Sequence, residues 1–418
     1  MSESLQMLLE EQAIDRPLRL SAGRTASAVE LAIYDDLAAV EDTWRRFEAI
    51  ADCTVFQTFD WLAAWQRHVG ERCNVAPAIV VGRHGRNGEP MFLLPLAVWP
   101  GLVRQLSWLG ADLCDYNAPL LAAGFSDSAA ADDFPALWGE TCKMLQQRPR
   151  HRHDLIVLAK MPEKLDLQVN PMLMLGGALN PSGAHFATLS EDWDPFYQAK
   201  CSRATRHGDR AKRRRLGQFG EVKLVTPRQP GELSTTLETL FAQKAKAFAR
   251  MGIPDIFSRA GYREFFIDMA VNPATRGMVH ISCLDVGGIP AAINFGLIFR
   301  STYYHLVAGY DAGEVSRFGP GAAHLRELLR HAIDIGCRRF DFTIGDEPYK
   351  ARWSDKTLKL YDYTRAVSAR GWARAAVMLA CRPLKRAIKQ DARLWNFFTW
   401  LRSAIRSRVP GHRAKPGP

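Results

Sequence analysis

The chain predicts an α/β fold in which one unit is used twice. Two observations carry this. Short β-branched and aromatic runs, bounded by turn residues, alternate with longer stretches of helical period, and the same order of elements recurs in both halves of the 418 residues. The length suggests two or three domains, and a 47% hydrophobic content is ample for a core in each.

In the first half Ala76 to Gly82 reads as a strand, Arg83 to Pro90 as a turn, Met91 to Trp99 as a second strand and Gln105 to Leu109 as a third. A helix over Ala129 to Gln147 and a strand over Leu155 to Ala159 follow. The second half repeats this order with Met278 to Leu284, the turn Asp285 to Pro290, Ala291 to Phe299, Thr302 to Ala308, a helix from Ala322 to Ile335, and Arg339 to Thr343. Pro162 to Pro181, rich in Met, Gly and Asn, reads as the crossing between domains. The expected domains are 25–180, 181–369 and a basic tail, 370–418.

Tyr303 to Trp353 is the most informative stretch: strand, loop, helix, strand. Its loop places Gly319-Pro320-Gly321-Ala322 just before the helix, so small residues surround unpaired N–H groups and the positive end of the helix dipole. Such a terminus is suited to an anion. Pro320 presets a helical φ, while Gly319 and Gly321 let a phosphate approach bare main chain. An ordinary glycine-rich turn is the competing reading.

Composition narrows the classes. Residues 370–418 hold 12 Lys/Arg against one acid, Asp391, which leaves 43 basic and 43 acidic residues elsewhere, so the net charge of +11 belongs to the tail. No basic groove for nucleic acid is therefore expected across the body. The eight cysteines lack C-x-x-C spacing, which disfavours zinc ribbons and disulfide scaffolds and suits reduced thiols in a cytoplasmic protein. No metal site is expected. The first 20 residues lack the pattern of a secretory signal, and no apolar stretch reaches spanning length.

Ser316-Arg317-Phe318-Gly319-Pro320-Gly321 resembles the (Gln/Arg)-x-x-Gly-x-(Gly/Ala) loop with which GNAT-superfamily acetyltransferases hold the pyrophosphate of acetyl-coenzyme A, with Ser in the leading place. The block FDFTIGDEPYKARW resembles the GDxxYKxxW signature of the CelD-like acetyltransferases associated with cellulose and exopolysaccharide production. Gln57 to Leu62 with Trp65, and Asp115 to Leu120, resemble that family's N-terminal half. The resemblance spans roughly residues 30 to 367. It implies tandem GNAT-like domains, each a mixed, mostly antiparallel twisted sheet flanked by helices, an arrangement shared with FemAB-type aminoacyl transferases. It further implies acetyl-CoA as acyl donor, bound through Arg317, Gly319, Pro320, Gly321 and Ala322. The first half has Leu113 to Pro119 where the second has Gly-Pro-Gly, and Asp115 there would repel phosphate. Cofactor binding therefore falls to the second half and a scaffold or acceptor role to the first, with Gln57 and Trp61 as acceptor contacts.

Acyl transfer from a thioester needs a deprotonated acceptor, a polarised carbonyl and a proton for the leaving thiolate. Asp341, Asp346 and Glu347 are candidate bases, acting directly or through water, provided burial raises the pKa of whichever one acts. Tyr349 can protonate the thiolate, and Lys350 can hold the oxyanion or an acceptor phosphate. His305 is a second-tier candidate on the strand entering the cofactor loop. Each has a plainer alternative. Asp341 alternates with Phe340 and Phe342 and would then face outward, Lys350 and Arg352 would pair with Asp346 and Glu347, Trp353 would be packing, and His305 a structural histidine.

Arg203, Arg206, Arg210, Arg213 and Arg214 fall on one stripe of a helix opening the second half. A comparable S-x-x-x-R recurs in the resembled family, which favours cofactor phosphate or acceptor contact by Arg206 and Arg210 over a merely solvated face. From Leu384 to Ile405 apolar residues including Trp395 and Phe398 share one helical face opposite Lys385, Arg386, Lys389 and Arg393, with Pro383 separating this helix from Trp372 to Cys381. That pattern suits either peripheral contact with an anionic membrane or docking on the fold. The leading function is acyl-CoA-dependent transfer to an amine or hydroxyl of a sugar, polysaccharide precursor or related metabolite. The alternatives are a FemAB-like aminoacyl transferase and a non-catalytic accessory protein of exopolysaccharide synthesis.

Overall fold

The computed structural model describes residues 29–390. They form two compact units: residues 29–66, 73–178 and 361–372 make the first, and 67–72, 179–360 and 373–390 the second.

The first unit is built on a sheet ordered Val29–Tyr34, Ala76–His84, Pro90–Trp99, Gln105–Trp108, Leu155–Pro162, Leu360–Ala366 and Ala178–Leu179, with Leu120–Leu121 added to Pro90–Trp99. The edge strand Val29–Tyr34 buries alternate residues, as a half-covered strand must. Ala76–His84 and Pro90–Trp99 are buried almost throughout, which is why they read as unbroken apolar runs. The helix expected over Ala129 to Gln147 is two helices, Ala129–Asp132 and Phe134–Gln147. Pro135 has no N–H to continue the first one and instead starts the second.

Pro162 to Pro181 is not a bare crossing. It holds the hairpin Lys164–Leu165 and Gln168–Val169 and a 3-10 turn, Pro171–Leu175, whose Met172 is fully buried in the first core. Residues 361–372, expected in the second domain and the first three positions of the tail, return to the first unit, whose sheet Leu360–Ala366 joins.

In the second unit we label β1 Ala184–Thr188, α1 Trp193–Lys200, α2 Arg203–Leu216, β2 Val222–Val225, α3 Pro230–Met251 and α4 Tyr262–Val271. Then come β3 Val279–Val286, β4 Ile289–Phe299, β5 Thr302–Tyr310, α5 Pro320–Asp334, β6 Arg339–Ile344, α6 Pro348–Trp353 and β7 Lys356–Leu358. The sheet order is β2-β3-β4-β5-β6-β1-β7. Only β5 and β6 pair in parallel, joined by the crossover through α5; the other pairings are antiparallel. Each of the second half's expected strands and its helix is present, with ends shifted by one or two residues.

Local sequence explains the helix ends. α3 starts on Pro230 behind a reciprocal cap between Gln229 and Glu232 and stops at left-handed Gly252. α5 buries Leu325, Leu328, Leu329, Ala332 and Ile333 on one face, against Tyr303, Phe340 and Phe342 of the sheet. Each fully buried leucine there contributes about 1.5–3 kcal/mol.

The last described helix, Ala369–Gln390, runs on past Pro383, where two helices were expected. Proline forfeits one N–H bond but its fixed φ is helical, so the chain continues. The remaining tail, 391–418, with the proposed membrane-facing residues Trp395 and Phe398, lies outside the described residues. Among the described residues no helix is long and apolar enough to cross a membrane, and no disulfide joins the cysteines.

Candidate active site

The site forms where β5 and β6 part. Their bonding covers Thr302↔Arg339, Tyr303↔Phe340 and Tyr304↔Asp341, then stops, although β5 continues to Tyr310 and β6 to Ile344. At that point β5 carries a bulge, with Leu306 the extra residue between His305 and Val307 opposite Gly296 and Phe295 of β4. A bulge bends and twists its strand, and here it turns β5 away from its parallel neighbour. The result is an opening at the carboxyl ends of two parallel strands, where α/β sheets commonly accept ligands.

The β5–α5 connection borders it. Gly319 is the N-cap in a left-handed conformation (φ 66°, ψ 55°) that glycine alone adopts freely, and Pro320 is the first helical residue. No side chain caps α5, and its first closing bond is Ala323 N to Gly319 O at 3.1 Å, so the N–H groups of Gly321 and Ala322 are left for an anion. A Cβ on Gly321 would meet only Tyr310, at ordinary contact distance. Arg317 is exposed, with its guanidinium 4.9 Å over the Phe318 ring.

The β6–α6 connection borders the other side and revises several expectations. Asp341 does not face outward: it is 1% exposed, accepts the Thr343 N–H at 2.8 Å and pairs with Arg339 at 3.1 Å. Thr343 stands at φ 59°, a genuine strain for a β-branched residue. Lys350, 3% exposed, donates to Thr343 O at 3.3 Å and Ile344 O at 2.8 Å and pairs with Glu347 at 2.9 Å. Its three donors thus meet three acceptors, and none is left for an oxyanion. Asp341 and Lys350 grip the two sides of one strained residue and hold the end of β6 bent. Trp353 is packing, stacked on Phe196 at 6.2 Å.

Tyr349 stands across the opening, its ring 6.4 Å from His305 on β5 and 6.4 Å from Phe342 on β6, and is 41% exposed. Desolvation of its inner side and the neighbouring Glu347 carboxylate raise its phenol pKa, so it keeps its proton at neutral pH. Burial, with the Lys350 and Lys244 ammonium groups nearby, lowers His305 to about 3, which makes it a poor proton acceptor.

Asp346, 55% exposed on its side chain, accepts from His185 Nε2 at 3.0 Å, and His185 Nδ1 faces Thr357 Oγ1 at 3.2 Å. With the carboxylate holding the Nε2 proton, Nδ1 is the basic nitrogen and Thr357 donates to it. This hydroxyl–imidazole–carboxylate chain was not foreseen. His185 and Asp346 are 161 residues apart, and nothing local marks the histidine.

The remaining expected residues lie elsewhere. Gln57 and Trp61 are interior to the first unit: Gln57 donates to Tyr116 O at 2.8 Å and accepts from Thr54, while Trp61 packs edge-on against Phe56. We assign both to packing, because a substrate would have to unpack the core to reach them. Arg206 donates to Cys201 O at 2.5 Å and closes the end of α1, whereas Arg210 is exposed and lines a cavity.

Residues 203–351 match the family model described as an acetyltransferase (GNAT) domain. No curated protein matches the chain in sequence. Among solved structures it is similar to FemX, with 10% identity over 80% of this chain and 97% of that one at a TM-score of 0.53. It is also similar to a tandem GNAT protein from the clavulanic acid biosynthesis pathway (15%, 81% and 98%, 0.45) and to a conserved protein of unknown function from Bacteroides thetaiotaomicron (14%, 79% and 98%, 0.48). At such identities the FemX likeness speaks to architecture alone. The chain thus shares its two-unit α/β architecture with FemX, and residues 203–351 of its second unit match a GNAT acetyltransferase domain.

Proposed function

We propose that the second unit transfers an acyl group from acyl-coenzyme A to an amine or hydroxyl of a saccharide, polysaccharide precursor or related metabolite. The parting of β5 from β6 beside the uncapped start of α5 is the observation that carries this reading. The coenzyme's diphosphate would rest on the N–H groups of Gly321 and Ala322, with its thioester arm in the opening. The saccharide acceptor rests on the CelD-like resemblance of the block Gly345 to Trp353.

In the reaction the acceptor nitrogen or oxygen attacks the thioester carbonyl and gives its proton to the Thr357 hydroxyl, which passes its own to His185 Nδ1, with Asp346 stabilising the imidazolium. Main-chain N–H groups that β5 leaves beyond its last bond to β6 polarise the carbonyl oxygen. The intermediate collapses with loss of the thiolate, and the Tyr349 phenol supplies its proton. Asp341, Lys350 and Glu347 act indirectly, by holding the bent end of β6. His305 stays neutral as a wall of the opening.

The test is turnover of labelled acetyl-CoA by the full chain against a panel of amino sugars and sugar nucleotides. His185→Gln and Asp346→Asn should each lower kcat by about 100-fold, within the usual range for a lost proton acceptor, with little change in KM for the donor. Full activity in both variants would remove the pair from the mechanism.

A further inference from the structure

We propose that the cavity at the C-terminal end of α2 binds the phosphate groups of a nucleotide. It measures about 690 Å³, the scale of a small-molecule site, and its wall includes His207, Arg210, Arg213 and Arg214. The inference deepens the reading above and rests on it where the ligand is the donor coenzyme, although none of these residues takes part in the transfer step.

Charge is the argument. Arg210 and Arg214 lie one turn apart on α2 and have no acid partner among the described residues. Like charges so placed destabilise a helix. The helix's own acid, Asp209, is turned inward and taken by Arg326 at 3.1 Å and the Tyr197 hydroxyl at 2.7 Å. Arg213 is fixed by Glu327 and so is already positioned. Glu221 is the one carboxylate in the wall, and Lys223 lies 3.8 Å from it. A multiply charged anion relieves this repulsion and matches the fork geometry of arginine.

Place and size identify the class. The end of α2 meets the turn before Gly319 through Phe219 and Phe318, whose rings lie 5.9 Å apart. The cavity therefore lies on the side of the unit that carries the phosphate-binding turn. An open hollow with a local cluster of basic residues, in a body of balanced charge, suits a nucleotide better than a nucleic acid, which needs an extended basic surface. Two sources share this chemistry: the adenosine 3′-phosphate of the donor coenzyme and the diphosphate of a sugar-nucleotide acceptor.

Titration calorimetry of the full chain decides it, with coenzyme A, 3′-dephospho-coenzyme A and uridine diphosphate N-acetylglucosamine as probes. Arg210→Glu/Arg214→Glu should weaken one of the two nucleotides by about tenfold or more. The charge-matched control Arg203→Glu/Lys212→Glu, exposed positions outside the cavity wall, should stay within about twofold. A loss for coenzyme A that disappears with the 3′-dephospho form identifies the donor; a loss for the sugar nucleotide identifies the acceptor. Wild type that binds the sugar nucleotide but no coenzyme A, with that binding lost in the cavity variant, would sink the transfer reading and leave the cavity standing. Unchanged affinity for both nucleotides, equal weakening by the control, or a response confined to a single-stranded RNA oligomer would overturn the proposal.

Discussion

The two units solve the same strand problem in opposite ways. Each has a parallel pair whose bonding stops early: Gln105–Trp108 with Leu155–Pro162 in the first, β5 with β6 in the second. Each also carries one non-glycine residue at φ 59° beyond the last bonded pair, Lys160 and Thr343, and in both the bent N–H is taken by a carboxylate, Asp362 at 3.0 Å and Asp341 at 2.8 Å. In the first unit the chain fills its own gap. Asn117 N donates to Lys160 O at 3.1 Å, Asn117 Nδ2 to Ala159 O at 3.1 Å and Lys160 Nζ to Cys114 O at 2.8 Å, with Cys114, Tyr116, Asn117 and Ala118 all buried. In the second unit the connection instead leads away to an uncapped helix and the opening is left. The first unit thus closes with its own chain a gap that the second leaves open.

Acid should separate the units most strongly. Burial lowers His280, His305 and His324 of the second unit to about 3, against an ordinary value of 6.5. The unfolded chain takes up protons below 6.5 that the folded chain refuses, so stability is complete above that pH and is lost as pH falls toward 3. At pH 5.5 each histidine should withdraw about 1.4 kcal/mol, roughly 4 kcal/mol for the three. The first unit has two histidines shifted the same way, His151 and His153, both through desolvation. Hydrogen exchange at pH 7.5 and 5.5, corrected for intrinsic rates, should show β3 to β6 losing more protection than Ala76–Trp99. Equal losses would contradict this.

The lysines give the next largest contrast. Lys350→Met strands two buried carbonyls and should lower unfolding free energy by about 3 kcal/mol. Lys160→Met, at a more exposed position, should lower it by about 1 kcal/mol. Urea unfolding of both variants measures the difference, and similar values would mean that the second unit's bend is no more strained than the first's.

The smallest effect isolates the bend itself. Asp341→Ala should destabilise by about 2 kcal/mol, and adding Thr343→Gly should recover about 1 kcal/mol, because glycine adopts that φ without the carboxylate's help. A double-mutant cycle with no recovery would show that Asp341 acts through partners other than Thr343, Arg339 among them.

The strands and α5 were legible because burial writes itself into period and apolar runs, and the glycine turn because its φ requires a glycine. The bend at Thr343 was not, since a β-branched residue at positive φ is held only by partners brought from elsewhere. That omission turned Asp341 and Lys350 into candidate chemistry when their groups are spent on backbone. His185 was invisible because strand pairing alone brings it to Asp346. Gln57 and Trp61 carried a family resemblance, which a core position earns as readily as a binding one. The return of Leu360–Ala366 to the first sheet had no local signal either.

The most direct measurement of the central claim is a calorimetric titration of acetyl-CoA into the wild-type chain and Gly321→Glu, whose Cβ has room beside Tyr310 but whose carboxylate would face the phosphates. The account predicts one site per chain in the wild type and none in the variant. Two sites, no binding by the wild type, or undiminished binding by Gly321→Glu would contradict it.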